Sequence, residues 1–232
     1  MEFVGIIEKL SFWAKLQPEK KVWTFLNAKC SPVQSYTYQD LYFVIDKLAK
    51  VLISNQHIKK GDRILLVFLP GLDFMVAFLA CLKADLIAVP VFPPDPRKLQ
   101  KDLHHFVSIQ QSCGAKVALT NAEYNFVKRL EEVKNIFTND KWPELQWLVI
   151  DNHIARANRH AVAISNESYP TLDSIAFLQY TSGSTNEPKG VMISHRNLAH
   201  NLNLIINELK ADQSTINVSW LPQYHDMGLI GE

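Results

Sequence analysis

Cysteine is scarce here and badly placed for bridging. The chain has three, Cys30, Cys81 and Cys113, far apart, odd in number and without any Cys-x-x-Cys spacing. That pattern argues against a disulfide framework and a structural zinc, and it suits a reducing compartment, so a cytoplasmic protein is expected. An excess of charge is missing too: 24 Lys and Arg stand against 23 Asp and Glu, a formal net charge of +1, and the charges are dispersed. Nucleic-acid binding therefore has no electrostatic footprint. No export signal is visible either, because Glu2 sits where such a signal carries positive charge and Lys9 interrupts the apolar run early.

A membrane span is imitated once and then contradicted. The stretch "ILLVFLPGLDFMVAFLACL", residues 64–82, has Asp73 as its only charge, but Pro70 and Gly71 fall in its middle. It predicts a buried strand over 63–69, a turn, and a helix opening near Asp73. With 232 residues and 47% hydrophobic composition, the chain can bury a sizeable core, as one domain or a domain with an appended subdomain. Disorder is excluded by that composition, and there is no internal repeat or low-complexity tract.

Strand-like apolar runs recur at 63–69, 86–91, 116–120, 147–150, 176–180 and 216–220, and most gaps between them carry helical spacing. Such alternation is the mark of βαβ units, so the expected class is α/β, with largely parallel sheets flanked by helices. Thr37 reads as the N-cap of a helix with Leu41, Ile45, Leu48 and Leu52 on one face, and Gly61 closes the connection to the next strand. Ser194 reads as the N-cap of a helix bearing Leu198, Leu202, Ile205, Ile206 and Leu209. Residues 151–171 have weak periodicity and many turn formers, which predicts a surface excursion. The four prolines of "VPVFPPDPRK", residues 89–98, predict a stiff extended connector.

The chemistry concentrates in "FLQYTSGSTNEPKGVMISHRNL", residues 177–198. A strand delivers the chain to small residues at 181–185, whose hydroxyls and N–H groups are donors and whose size lets the backbone approach a ligand closely. Lys189 adds positive charge, and the combination suits a polyphosphate. Walker A does not fit, since Lys189 precedes Gly190 and no hydroxyl follows in the required place. No G-x-G-x-x-G follows a strand, and no G-x-S-x-G elbow supports Ser182 or Ser184 as a hydrolase nucleophile.

"YTSGSTNEPKGVMISH" resembles the phosphate-binding signature of the adenylate-forming (acyl-activating) superfamily, usually Tyr-Thr-Ser-Gly-Ser/Thr-Thr-Gly-x-Pro-Lys-Gly-Val. Asn186 stands where that pattern has glycine, and asparagine tolerates left-handed backbone well. Downstream, "WLPQYHDMGLIGE" is similar to the superfamily's next core motif, in which an aromatic or histidine near a helix start lines the acyl pocket. His225 alone would read as a structural histidine; at this separation from the phosphate loop it becomes a candidate. Asp226 beside it can equally satisfy backbone donors at a helix start. His104, His105, His195 and His200 lack second ligands at metal spacing.

"LQYTSGST", "LPQYHDMGLIG" and "AVPVFPPDP" look in particular like the fatty acyl-AMP ligases, and the resemblance runs over the whole chain. It implies that residues 1–232 are the N-terminal part of an AMP-binding (adenylation) domain, with the adenine-binding, ribose-binding and C-terminal-domain motifs beyond Glu232 and no turnover from these residues alone. It implies ATP and Mg²⁺ as cofactors, a fatty acid as substrate and an acyl carrier protein as acceptor. Thr181, Ser182, Ser184 and Thr185 would bind the β- and γ-phosphates, Gly183 and Gly190 would permit the tight path, Lys189 would anchor the loop, and His225 would orient the carboxylate or border its tunnel. An acyl-CoA synthetase, differing only in acceptor, and a non-catalytic nucleotide- or acyl-binding module remain open at this point.

Overall fold

The computed structural model describes residues 5–95, 99–134, 142–154, 169–181 and 188–231. The chain opens with helix α1 (Ile6–Leu16), a hairpin of β1 (Lys21–Leu26) and β2 (Pro32–Thr37), and helix α2 (Tyr38–Ser54). It then alternates through β3 (Arg63–Leu66), α3 (Leu72–Lys83), β4 (Ile87–Pro90), α4 (Leu99–Cys113), β5 (Val117–Thr120), α5 (Ala122–Lys134) and β6 (Gln146–Val149). The short α6 (Asp151–Ile154), β7 (Ile175–Thr181), β8 (Lys189–Ser194), α7 (His195–Glu208) and the one-turn α8 (Asp226–Leu229) complete it.

The principal sheet has the order β6-β5-β3-β4-β7-β8, parallel throughout except that β8 returns antiparallel to β7. Successive residues of a strand face opposite sides, and both sides here are apolar. Ile64 and Leu66 of β3 enter one core with Leu41, Ile45 and Leu48 of α2 and Val76 and Leu79 of α3. Leu65 and the following Val67 enter a second core with Phe106 and Ile109 of α4 and Tyr124 of α5. That two-sided burial is why the strands read as continuous hydrophobic runs, and it gives the expected α/β layering.

The start of α2 follows the expected capping: Thr37 Oγ1 accepts from the Asp40 N–H at 3.1 Å. Thr37→Ala is expected to cost about 1 kcal/mol, read as a lower denaturant midpoint at unchanged slope. Gly61 has φ +80° and donates its N–H to the Asp85 carbonyl at 2.9 Å, closing the passage into β3. The 64–82 stretch divides as expected into β3, a turn and α3, and among the described residues no helix is long and apolar enough to cross a membrane.

Two local expectations need correction. Residues 216–220 form no strand: Ile216, Val218 and Trp220 stand exposed outside the sheet. An alternating run becomes a strand only where a neighbour supplies ladder hydrogen bonds, and none of the described strands pairs there. Conversely, the β1–β2 hairpin escaped the pattern reading because its strands are mostly half-exposed and its register breaks twice. Most of the predicted 151–171 excursion, residues 155–168, lies outside the described residues.

Candidate functional site

Ligands of open parallel sheets gather at the carboxyl ends of the strands. Two places along that edge compete here. The chain crosses from β3 to β4 in one direction and from β4 to β5 in the other, so the topological switch lies between β3 and β5. There Asn121 Nδ2 donates to Asp73 Oδ2 at 3.2 Å, and Asp151 Oδ2 accepts from the Ala122 N–H at 2.7 Å. Burial raises the Asp73 carboxyl above its usual range, opposed by the Asn121 hydrogen bond and reinforced by Asp151 and Glu123. An acidic end of this kind repels a polyphosphate.

The other place is the end of β7. β7 ends at Thr181 and β8 begins at Lys189 directly opposite, followed by the pairs Tyr180–Gly190 and Gln179–Val191. Three of the candidate phosphate ligands, Thr181, Lys189 and Gly190, thus stand together at the mouth of one hairpin. Ser182, Gly183, Ser184 and Thr185, and Asn186 with them, lie outside the described residues. Lys189 is exposed and makes no ion pair among the described residues.

Gly190 is required by its partner across the hairpin. A Cβ there would stand 2.8 Å from Tyr180 Cζ, and the Tyr180 hydroxyl donates to Ser112 Oγ on α4 at 2.9 Å. Burial pushes the Tyr180 phenol above its ordinary range, which keeps it a donor. Gly190→Ala is expected to cost about 1–3 kcal/mol by displacing that ring. The cost should shrink in a Tyr180→Ala background, as a double-mutant denaturation cycle would show.

The segment around His225 is held against the same edge by three side-chain contacts. The Gly71 N–H, in the turn after β3, donates to Gln223 Oε1 at 2.9 Å. The Phe92 ring, just beyond β4, meets Tyr224 edge-to-face with centroids 5.5 Å apart. From β7, Gln179 Nε2 donates to the Tyr224 carbonyl at 3.4 Å. His225 then caps α8. Its Nδ1 lies 2.6 Å from Asp226 Oδ1 and 3.4 Å from the Met227 N–H, which itself donates to Asp226 Oδ1 at 2.8 Å. Nδ1 donates to Asp226 in the tautomer that protonates it and accepts from the Met227 N–H in the other. Nε2 is left for a ligand. Asp226 thus has both roles, satisfying a backbone donor and orienting the imidazole.

The matching family model, described as AMP-binding enzyme, covers residues 10–232. The chain belongs to the AMP-binding enzyme family. Over 99% of its length it is 31% identical to a medium-chain-fatty-acid–[acyl-carrier-protein] ligase of Moorena producens, of which it covers 37%. Over 97% it is 33% identical to a long-chain-fatty-acid–AMP ligase of Mycolicibacterium smegmatis, of which it covers 34%. In structure it matches the fatty acyl-adenylate ligase of L. pneumophila, solved with acyl adenylate and pyrophosphate, with a TM-score of 0.81 and 36% identity over 98% of this chain and 37% of that one. The chain therefore spans little more than a third of these relatives.

In this AMP-binding chain the other candidate histidines take no part in the site among the described residues. His104, His105 and His200 are exposed. His195 is buried, with burial holding its imidazole below the ordinary range and, among the described residues, no partner for Nε2. Among the described residues no three His, Cys, Asp or Glu side chains group as metal ligands. Sequence reasoning missed Gln179, Gln223, Tyr224 and Phe92. The detectable signal was Gln179, a polar residue at an inward position of an otherwise apolar strand. Phe92 was hidden because the proline stretch read as a connector alone, whereas it carries this ring to the His225 segment.

Proposed function

We propose that this chain forms the N-terminal part of the adenylation domain of a fatty acyl-AMP ligase, which activates a fatty acid with ATP and passes it to an acyl carrier protein. The likeness to the Legionella ligase, solved with acyl adenylate and pyrophosphate, carries this reading. The convergence of Thr181, Lys189 and the His225 turn on one sheet edge supports it. A fatty acid carboxylate oxygen attacks the α-phosphorus, the bond to the bridging oxygen of the β-phosphate breaks, and pyrophosphate leaves with the electron pair. The protein brings two anions together and neutralises developing charge, so positioning and electrostatics dominate.

In this reading Thr181, Ser182, Ser184 and Thr185 donate to the β- and γ-phosphates, Gly183 and Gly190 permit the tight path, and Lys189 neutralises phosphate charge. His225 orients the carboxylate or borders its tunnel through Nε2, with the ring held from Nδ1 by Asp226. Mg²⁺, when bound, neutralises phosphate charge. The exposed apolar side chains of β8, α7 and 216–220, among them Met192, Leu209 and Trp220, would meet the rest of the domain.

The test incubates the intact protein with Mg·ATP and a mixture of fatty acids and follows products by mass spectrometry. Acyl-AMP that a carrier protein consumes and coenzyme A does not is the expected result. Acyl-CoA formation would reassign the acceptor, and failure to form any adenylate would overturn the ligase reading in favour of a binding module.

A further inference from the structure

Gln179 occupies a position that physical chemistry would otherwise give to leucine or isoleucine. It follows Phe177 by two residues on β7, so its side chain enters the same apolar side of the sheet, and it is 8% exposed. Its amide is only half satisfied: Nε2 donates to the Tyr224 carbonyl at 3.4 Å, and the buried Oε1 has no donor among the described residues. A buried polar group held at such a cost marks a place where geometry is worth more than stability.

The covalent neighbours of that hydrogen bond say which geometry. Gln179 is two residues from Thr181 on a rigid strand, and Tyr224 is adjacent to His225. The other two holds on this segment, Gly71 to Gln223 and Phe92 to Tyr224, refer it to the exits of β3 and β4. Of the three, only the Gln179 bond refers it to the strand that bears Thr181 and faces Lys189.

We propose that Gln179 is a positioning residue for adenylation, setting the separation between the Thr181–Lys189 mouth and the His225 turn. This rests on the ligase reading above. In-line attack tolerates little misplacement of carboxylate against phosphorus, so loosening this link acts on the rate of the bound complex and not on nucleotide affinity.

The test compares Gln179→Leu and Gln179→Glu with the wild type in the intact protein, measuring adenylate formation from Mg·ATP and fatty acid between acidic and neutral pH, together with thermal midpoints. Gln179→Leu should lower kcat at least ~10-fold with the KM for ATP changed less than ~2-fold. Gln179→Glu offers no donor to the Tyr224 carbonyl while ionised and regains an O–H donor when protonated. Its rate relative to wild type at the same pH should therefore climb as pH falls, while the leucine ratio stays flat. Unchanged kcat in Gln179→Leu, or a change confined to KM, overturns the inference. Should the leucine protein fail to fold, a flat ratio for Gln179→Glu overturns it alone. A wild type that forms no adenylate overturns the ligase reading and this inference with it, whereas an active wild type matched by both variants overturns only the inference.

Discussion

Lys189→Ala in the intact protein is expected to slow acyl-adenylate formation roughly 100-fold while leaving the denaturation midpoint in place. The two halves of this expectation have separate causes. Lys189 is exposed at the first position of β8, opposite Thr181, and makes no ion pair among the described residues, so among these its truncation leaves no carboxylate unpaired. Surface substitutions of that kind move stability by about 0.5 kcal/mol or less. The rate effect follows from charge. Pyrophosphate accumulates negative charge as the α-phosphorus bond breaks, and a preplaced cation stabilises that state more than the bound substrate. Steady-state kinetics with ATP and fatty acid check the point, and unaltered kinetics would remove Lys189 from the scheme.

Gly228→Ala should be nearly as severe for activity and, unlike the lysine change, should also destabilise the fold. An added Cβ would overlap the Pro222 carbonyl oxygen and stand 2.9 Å from the Pro222 carbonyl carbon and 3.1 Å from that of Leu221. All three are backbone atoms, so no side chain can swing aside. Instead α8 must move off the 221–222 turn. His225 moves with it, because its N–H donates to the Pro222 carbonyl at 3.0 Å and its own carbonyl accepts from the Gly228 N–H at 3.1 Å and the Leu229 N–H at 2.9 Å. A displacement near 1 Å at a reacting group costs about 100-fold in rate, and the overpacking costs about 1–3 kcal/mol. Gly5→Ala is the control, since nothing lies within 4 Å of a Cβ there. Full activity in Gly228→Ala would detach α8 from the chemistry.

The local elements were legible wherever a residue's own chemistry decides its conformation. Thr37 and Ser194 cap α2 and α7 through the donors their sequence spacing offers, Asp40 and Asn197. Pro70 and Gly71 divide β3 from α3 as expected. Legibility failed where a distant partner decides. The alternation of 216–220 met no neighbouring strand, and the outer half of the apolar face of α7, Ile206 and Leu209, stands exposed although its spacing is that of a buried helix.

The same division runs through the site. The two candidate motifs were legible because their residues are consecutive, and the hydroxyls of 181–185 with Lys189 are of a type that suits anionic oxygens. Their relation to each other was not. By itself the sequence determined an α/β chain, the two motifs at 180–195 and 220–232, and the family to which both point. Only the tertiary structure set Thr181 opposite Lys189 at the β7 end and the acidic residues at the β3–β5 switch, put Tyr180 against Gly190, and tied Gln179 to the segment of His225. The physical reason is that these depend on strand order and on contacts between residues as far apart as 71 and 223, which no local spacing encodes.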